Sequence, residues 1–306
     1  MTKTRIAAAD PAGVAEAAAL IRAGACVAVP TETVYGLAAD ATNAAAVAGI
    51  YAAKGRPSFN PLIVHVPDLA AAAALAEFPA AARALAARFW PGPLTLVLPH
   101  RGTLPGIVTA GLHTVALRVP GHPAMQALLA AAGCPLAAPS ANASGTISPT
   151  RAAHVLKSLG GRIPLILDAG PTPLGLESTI LAVGADGGMR LLRPGPVDLG
   201  IDLTGAGAAV EAPGQLASHY APAKPVRLDA ADAAADEYLI GYGPVPGHAS
   251  LSPAGDPVEA AARLFDLLHA AEDAPQPRIA VAPVPGPGLA AAIRDRLSRA
   301  AHPEKS

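Results

Sequence analysis

The sequence predicts an α/β protein of the α+β type, built on a twisted mixed sheet that is flanked by helices. Short apolar runs, such as residues 26–29 and 62–66, alternate with alanine-rich helical stretches along most of the chain. Polar residues gather where several of these runs end, which is where open α/β sheets bind their ligands. Tight turns join some of the runs, so neighbouring strands are expected to be antiparallel as well as parallel.

Length and composition limit the functions that the chain can have. Its 306 residues are enough for two domains, or one large one, with a full hydrophobic core. The formal net charge of -1 gives no global field that would attract nucleic acid or an anionic membrane. Aromatic residues make up only 3% of the chain, which argues against a protein that binds single strands by base stacking.

The compartment is predicted from the N-terminus, the apolar runs and the cysteines. The first residues lack the apolar segment of a signal peptide, and no stretch reaches the ~20 apolar residues of a membrane helix. Cys26 and Cys134 both lie in apolar runs, which favours buried, reduced thiols over a disulfide. A cytoplasmic protein without a membrane segment is therefore expected.

The first predicted elements are a helix and a buried strand that ends in a polar cluster. Asp10 and Pro11 are typical of a helix start, so residues 12–23 are predicted to be helical. The apolar run 26–29 predicts a strand. The polar residues that follow it are Thr31, Glu32, Thr33 and Tyr35.

A second predicted helix, over residues 43–53, is followed by two cations, Lys54 and Arg56, on either side of a glycine. Arg offers a rigid donor fork to phosphate and Lys a mobile point charge, so the pair suits the clamping of more than one phosphate. The alternative is a solvated helix end, because cations are favourable at a helix C-terminus. Asn60 and a predicted strand over 62–66, which carries His65, come next. This segment therefore predicts a polyanion site, in particular one for a nucleotide triphosphate.

The remaining elements of the larger unit are bounded by Asp, Pro and Gly, which start and stop helices and mark turns. The predicted helices are 68–75, 79–89, 124–132 and 148–159. The predicted strands are 94–98, 114–119, 135–138, 165–168, 178–183 and 189–192, and the last two are expected to form a hairpin. Residues 104–113 are expected to be a loop.

Polar residues in or after apolar strands are further candidates for ligand contact. Arg118 lies in an otherwise apolar strand, so it sits at a sheet edge or needs a partner such as a substrate carboxylate. Ser140 and Asn142 follow a buried run at a strand end, a ligand-binding position whose alternative is a plain turn. Glu32 and Glu177 are either structural acids that answer the cations or functional groups.

Several familiar catalytic motifs are absent from the sequence. It contains no Walker loop, no dinucleotide-binding glycine fingerprint after a strand and no zinc-type spacing of Cys and His. None of its serines lies in the nucleophile elbow of a serine hydrolase, so that class is not expected.

The last third of the chain changes character. Residues 200–227 contain several prolines and glycines without a sustained apolar period, which predicts a linker. Beyond them, strands over 237–242 and 278–282 and helices over 257–271 and 288–300 predict a small α/β unit. Its strand ends carry few polar residues, so chemistry is not expected there. The predicted domains are 1–203, which would be catalytic, a linker 204–228 able to fold over the active site, and 229–306, a C-terminal unit.

A series of motifs identifies a family resemblance. The segments are PTETVYGLAADATN, KGRP, NPLIVHV, FWPGPLTLVL, ALRVPGHP, APSANASG, GLESTI and LLRPG, in that order. Together they closely resemble the YrdC-type family over roughly residues 10 to 200. The segment APGQLASHYAP and the small unit after it look like the longer, two-domain form of that family. The resemblance implies a YrdC-like twisted mixed sheet plus a small C-terminal Rossmann-like α/β domain.

The resemblance also implies a function. It implies a nucleotidyltransferase, an L-threonylcarbamoyladenylate synthase, which makes threonylcarbamoyl-AMP from L-threonine, bicarbonate and ATP and releases pyrophosphate. This is the first step in forming N6-threonylcarbamoyladenosine in tRNAs that read ANN codons. Mg²⁺ is implied with ATP, and a tRNA threonylcarbamoyl transferase complex would receive the product.

The matched motifs imply which residues contact each substrate. Those implied for L-threonine are Thr33, His65, Arg118, Ala138 and Ser178, with Arg118 taking the carboxylate. Those implied for ATP are Lys54, Arg56, Asn60, Thr114, Ser140, Asn142, Ser148, Arg193 and Tyr220. Lys54 and Arg56 would act catalytically, by preorganised electrostatics and positioning. No metal ligand from a side chain, covalent nucleophile or obligatory general base is identified.

Two other functions stay open at this point. One is an RNA-binding or ribosome-maturation module that uses the same basic concave surface without catalysis, although the near-zero net charge and few aromatics count against it. The other is a transferase or hydrolase that uses carbamoyl phosphate and shares the fold.

Overall fold

The structure, a computed structural model, describes residues 3–200, 211–215 and 219–302. Over these residues the chain forms a larger unit on a ten-stranded mixed sheet and a smaller unit on a four-stranded sheet. The α/β class and the mixed sheet expected from the sequence are confirmed. Within the described ranges, no helix is long and apolar enough to cross a membrane.

The elements of both units follow in chain order. In the larger unit they are β1 (Arg5–Ala8), α1 (Pro11–Arg22), β2 (Val27–Val29), β3 (Gly36–Asp40), α2 (Ala44–Lys54), β4 (Ile63–His65), α3 (Leu69–Leu75), α4 (Ala80–Phe89), β5 (Leu94–Pro99), α5 (Gly106–Thr109), β6 (Thr114–Arg118), α6 (Pro123–Ala132), β7 (Leu136–Ala137), α7 (Ala152–Leu159), β8 (Leu165–Asp168), β9 (Thr179–Val183) and β10 (Met189–Arg193). In the smaller unit they are β11 (Val226–Arg227), β12 (Glu237–Gly241), β13 (Ala249–Ser250), α8 (Pro257–Asp273), β14 (Arg278–Val281) and α9 (Leu289–Ala300).

Side-chain caps fix the starts of several helices. The carboxylate of Asp10 accepts a hydrogen bond from the Gly13 amide at the start of α1, and Asn43 does the same for two amides at the start of α2. Gly55 ends α2 with a φ of 61°, a left-handed conformation that glycine adopts without strain. This turn places Lys54 and Arg56 on two sides of the helix end.

The strand order of the large sheet is β1-β8-β2-β3-β7-β4-β6-β5-β9-β10. The sheet contains both parallel pairs, such as β4 with β6, and antiparallel pairs, such as β2 with β3. In the β4–β6 pair His65 lies opposite Arg118, so two predicted site residues become neighbours. β9 and β10 form the predicted hairpin at one edge.

The large sheet carries a hydrophobic core on each face. Val27 and Val29 of β2 pack with residues of α1 and α6, whereas Ala28 between them packs with residues of α2 and α7. This alternation is the period of two expected for a strand that is buried on both sides.

Some elements were not predicted. β3 has the sequence GLAAD, which lacks β-branched residues, and it becomes a strand because β2 and β7 pair with it on either side. β1 likewise depends on pairing with β8. Residues 104–113, expected to be a loop, contain the single helical turn α5. The predicted linker falls partly outside the described residues, at 201–210 and 216–218.

The smaller unit has an all-parallel sheet in the order β11-β14-β12-β13, packed against α8 and α9. It sits tightly against the larger unit. A Cβ atom at Gly175 would collide with the backbone of Ala261 in α8, so only glycine fits at this approach. Arg151 and Asp266 form an ion pair across the same boundary.

Candidate active site

Polar residues from several strand ends and from the segment before β11 enclose a cavity. Its lining consists of Thr31, Thr33, Val34, Gly36, Arg56, Ile63, His65, Arg118, Ala138, Pro139, Ser140, Glu177, Ser178, Arg193, Pro213, His219 and Tyr220. Most of the residues that the sequence singled out therefore come together. Lys54, Asn60, Thr114, Asn142 and Ser148 are not part of this lining.

One wall of the cavity is organised around Arg118. Its Nη1 donates a hydrogen bond of 3.0 Å to Thr33 Oγ1, and its Nε donates one of 3.1 Å to the Gly92 carbonyl. Its Nη2 lies 2.7 Å from Glu32 Oε1. Burial opposes the charge on Glu32, but the charge and hydrogen bonding of Arg118 outweigh it, so the pKa of the Glu32 carboxyl is lowered. The guanidinium is thus oriented before any ligand binds.

His65 lies beside Arg118 on the neighbouring strand. Burial, reinforced by the positive charge of Arg118, lowers the pKa of the His65 imidazole to about 3. The ring is therefore neutral at physiological pH. Its Nδ1 is buried and has no hydrogen-bond partner among the described residues, which marks it as available to a ligand.

A group of buried cations forms another part of the site. Lys54, Arg56 and Arg193 are only 2%, 8% and 4% exposed. Across the described ranges none of the three forms an ion pair with a carboxylate. Burial lowers the pKa of Arg56 to about 10, and it also lowers the pKa values of Lys54 and Arg193. Buried charges are normally paired, so this excess of positive charge is the strongest sign that an anionic ligand belongs here.

Arg56 and Arg193 line the cavity, and each is held by backbone carbonyls. Arg56 donates from Nε to Asn60 O at 3.1 Å and from Nη2 to Pro61 O at 2.9 Å. Arg193 donates to Ser178 O at 3.0 Å and from Nη2 to Ser178 Oγ at 3.1 Å. Neutral partners fix both guanidiniums without cancelling their charge.

Lys54 is placed differently from Arg56. Its Nζ donates to Ser140 O and Asn142 O, both at 2.6 Å, and to Asn142 Oδ1 at 3.2 Å. It therefore fastens the loop that carries Ser140 to the end of α2. Ser140 Oγ in turn donates to Asn142 Oδ1 at 2.6 Å.

Asn60 lies beside Arg56, whose Nε donates to the Asn60 carbonyl. Asn60 is fully buried, yet neither polar atom of its side chain has a hydrogen-bond partner in the described part of the chain. Thr114 is the first residue of β6, the strand that carries Arg118. Asn60 is thus a second buried group that is available to a ligand.

Residues before β11 close the cavity from another side. Pro213, His219 and Tyr220 all contribute to the lining, and Tyr220 is only 1% exposed. Tyr220 was predicted to reach the nucleotide, whereas Pro213 and His219 were not singled out. Arg193 Nη1 donates to the Pro213 carbonyl at 3.3 Å, which joins this segment to the cation group.

Glu177 is the lining residue whose partners the sequence could not indicate. Its Oε1 accepts a hydrogen bond of 2.5 Å from Ser148 Oγ, and its Oε2 lies 2.8 Å from Arg296 Nε. Arg296 belongs to α9 of the smaller unit, 119 residues away in sequence. Nothing in the local pattern of an amphipathic helix distinguishes Arg296 from its neighbours.

The geometry suits a ligand that carries a carboxylate together with one that carries phosphates. Arg118 and Thr33 offer donors at one wall, and Arg56 and Arg193 supply uncompensated positive charge in the same cavity. The described residues contain no group of three or more His, Cys, Asp or Glu that could hold a metal ion.

Two family models match the chain. The model described as telomere recombination, for the Sua5, YciO and YrdC proteins, matches residues 19–195. The model described as the C-terminal domain of threonylcarbamoyl-AMP synthase matches residues 191–302.

Similar proteins include a threonylcarbamoyl-AMP synthase from Bacillus subtilis, 48% identical over 229 residues, and one from Pyrococcus abyssi, 45% identical over 224 residues. These alignments cover 70% and 69% of this chain and 66% of each relative's length. The crystal structure of P. abyssi Sua5 complexed with L-threonine is 35% identical, with a TM-score of 0.88. That alignment covers 98% of this chain and 97% of the other.

Proposed function

Because the chain belongs to the Sua5, YciO and YrdC family, we propose that it catalyses the synthesis of threonylcarbamoyl-AMP from L-threonine, bicarbonate and ATP, with release of pyrophosphate. The relatives that carry the name threonylcarbamoyl-AMP synthase support this activity. The observation that carries the proposal is that Arg118 lines one cavity together with Arg56 and Arg193, which form no ion pair with a carboxylate in the described part of the chain. A carboxylate and a polyanion would therefore bind next to each other.

The Arg118 wall is assigned to threonine. Arg118 would bind the substrate carboxylate, while Thr33, already hydrogen-bonded to Arg118, keeps the guanidinium in place. Neutral His65 can accept a hydrogen bond from the substrate amine through its free Nδ1. Ala138 and Ser178 complete this half of the lining. The threonine complex of P. abyssi Sua5 supports the assignment of an amino acid to a site of this fold.

The cation group is assigned to ATP. Arg56 and Arg193 would face the phosphates, and Ser140 and Tyr220 line the same space. Lys54 would act through the Ser140–Asn142 loop that it fastens, and through its charge. Ser148, Asn60 and Thr114 stay assigned to ATP as a proposal.

The chemistry can proceed without a covalent enzyme intermediate. The threonine nitrogen attacks the bicarbonate carbon, and loss of water, which carries off an amine proton, leaves a carbamate. A carbamate oxygen then attacks the α-phosphorus, and the bond from that phosphorus to the oxygen that bridges the α- and β-phosphates breaks, so that this oxygen leaves with pyrophosphate. Negative charge develops on phosphate oxygens, where the fixed guanidiniums of Arg56 and Arg193 stabilise it.

Mg²⁺ is proposed to reach the site with ATP. The carboxylate that lines the cavity, Glu177, is already bonded to Ser148 and Arg296, so it is not a free metal ligand. Mg²⁺ commonly binds through substrate phosphates and water, which fits this donor set. When bound, the ion would neutralise part of the triphosphate charge.

The product would pass to a tRNA threonylcarbamoyl transferase complex, in the cytoplasm. Both the partner and the compartment follow from the proposed reaction and are predictions. Weak RNA binding also remains a prediction.

An omission series tests the function. Purified protein with Mg²⁺ should release pyrophosphate only when ATP, threonine and bicarbonate are all present. Arg56→Met should abolish the release, whereas Arg88→Met, on an exposed helix face, should leave it unchanged. Release that does not require threonine would refute the proposal. Salt-sensitive tRNA binding without turnover would favour the RNA-binding alternative. Turnover of carbamoyl phosphate would favour a transferase or hydrolase that uses that substrate.

A further inference from the structure

We propose that Arg296, in α9 of the smaller unit, is a positioning residue for the ATP half of the cavity and acts through Glu177. This inference rests on the proposed function, because it concerns how ATP is held. It gives the smaller unit a direct part in the site, although its own strand ends carry little chemistry.

The contacts of Arg296 are unusually complete. The side chain is fully buried, and Nε lies 2.8 Å from Glu177 Oε2. Nη1 donates to Asp295 Oδ2 at 2.7 Å, and Nη2 donates to the Pro194 carbonyl at 2.9 Å. Its guanidinium carbon lies 5.3 Å from the centre of the Tyr220 ring. Every nitrogen of the guanidinium therefore has a partner, and two of the four groups that Arg296 contacts, Glu177 and Tyr220, line the cavity.

Glu177 explains why this cation is needed. A carboxylate that lines a cavity for a triphosphate would repel the ligand if its charge were not answered. Arg296 supplies the answering charge from the side of the smaller unit. It also leaves Oε1 free to accept the hydrogen bond from Ser148 Oγ, which fixes the orientation of that hydroxyl.

The same arginine holds two further parts of the ATP half. The Pro194 carbonyl that it binds directly follows Arg193, one of the unpaired cations. The Tyr220 ring that it faces lines the cavity. Arg296 thus contacts both the residue that follows Arg193 and a ring that lines the cavity.

Other residues of the smaller unit hold Arg296 in turn. Asp295, which binds Arg296 Nη1, also accepts a hydrogen bond of 3.1 Å from Arg299 Nε. The Arg299 carbonyl accepts the backbone amide of His219, a residue of the cavity lining. His269 of α8 is 3.2 Å from the Ser148 carbonyl. The smaller unit therefore contacts His219 and Ser148 as well as Glu177.

Kinetics of four variants test the role. Arg296→Met leaves the Glu177 charge unanswered and should raise KM for ATP at least about thirtyfold, since loss of one partner of a buried charge pair is costly. KM for threonine should change less than about threefold, because Arg118 and Glu32 lie outside this group. Arg296→Lys keeps the positive charge but loses the planar guanidinium with its several donors. Its KM for ATP should therefore lie between those of the wild type and Arg296→Met. The matched control Arg263→Met, on α8 and half exposed, should behave as the wild type.

The decisive variant is the double one, Arg296→Met with Glu177→Gln. If Arg296 serves to answer the Glu177 charge, removing that charge should recover most of the ATP affinity. A purely structural arginine would show no recovery, and equal KM values for the single and double variants would overturn the proposal. If Arg296→Met does not fold, the polar but uncharged Arg296→Gln, with and without Glu177→Gln, gives the same comparison.

Calorimetric titration with ATP alone separates this inference from the proposed function. A wild-type protein that binds ATP but makes no pyrophosphate with threonine would refute the function. The same titrations of the variants would still report on Arg296. If the wild type is active and Arg296→Met binds ATP with the same affinity, the positioning role is overturned and the proposed function still stands.

Discussion

Arg118 Nη2 lies 2.7 Å from Glu32 Oε1, so the arginine assigned to the substrate carboxylate already has a buried acid beside it. Glu32 does not line the cavity, whereas Arg118 does. Glu32 therefore fixes the guanidinium of Arg118 from a position outside the cavity lining. This explains how an arginine is tolerated in the apolar strand β6 before threonine binds.

Arg118→Ala should weaken threonine binding far more than ATP binding. Loss of a charge-assisted carboxylate contact costs about 2–4 kcal/mol. The effect should appear as a higher KM for threonine in steady-state assays. The exposed Arg83→Ala is the matched control. An unchanged threonine requirement in Arg118→Ala would refute the assignment.

Lys54→Met should both destabilise the fold and weaken ATP binding. The change leaves the carbonyls of Ser140 and Asn142 without their donor, which costs about 1–3 kcal/mol for a buried group. Thermal unfolding and KM for ATP measure the two effects, with Lys3→Met at the exposed N-terminal end as control. A stable variant with an unchanged KM for ATP would show that the loop does not need this lysine.

Pyrophosphate and ATP should raise Tm of the free protein, because each would neutralise the unpaired cations. A ligand at a hundred times its Kd stabilises a folded protein by about 2.7 kcal/mol. The rise should be lost in Arg193→Met and should not be reproduced by NaCl of equal ionic strength. An equal rise with NaCl would mean that no specific polyanion site exists.

Acid should loosen the boundary between the two units. The rings of His154 and His269 stack with centroids 3.8 Å apart, among Arg151, Lys157 and Asp266. Burial, with a further contribution from His269, lowers the pKa of His154 to about 4, and burial also lowers that of His269.

The sign of this pH effect follows from proton binding. Below a pH of about 6.5 the unfolded chain protonates His154 and His269, whereas burial opposes their protonation in the folded protein. The free energy of unfolding should therefore be highest above that pH and should decrease as the pH falls toward 4. His154→Gln should make the free energy of unfolding less dependent on pH between about 6.5 and 4. His113→Gln, on the surface, should leave that pH dependence unchanged. Equal slopes for both variants would contradict the explanation.

Local signals in the sequence predicted much of the fold. Asp10 and Asp68 cap helices as expected, because capping depends on residues a few positions apart. The strand β3 was missed, because its sequence has little strand preference and its neighbours decide its structure. Long-range pairing of that kind leaves no local trace.

The residues of the candidate site likewise include some that the sequence could predict and some that it could not. Arg118 could be singled out because a charge in an apolar strand is conspicuous by itself. Arg296 could not, since its role depends on Glu177, which is brought to it by the packing of the two units. Lys54 was expected to face the triphosphate, and that contact stays a prediction; in the structure its Nζ donates to three oxygens of the loop that carries Ser140.

The union of both substrates in one product is the central claim, and isotope labelling tests it most directly. The protein is given ATP, carbon-labelled bicarbonate and nitrogen-labelled threonine, and the nucleotides are separated and weighed by mass spectrometry. The predicted result is a single adenylate that carries both labels, formed in step with pyrophosphate. Pyrophosphate that forms without any doubly labelled adenylate would contradict the account.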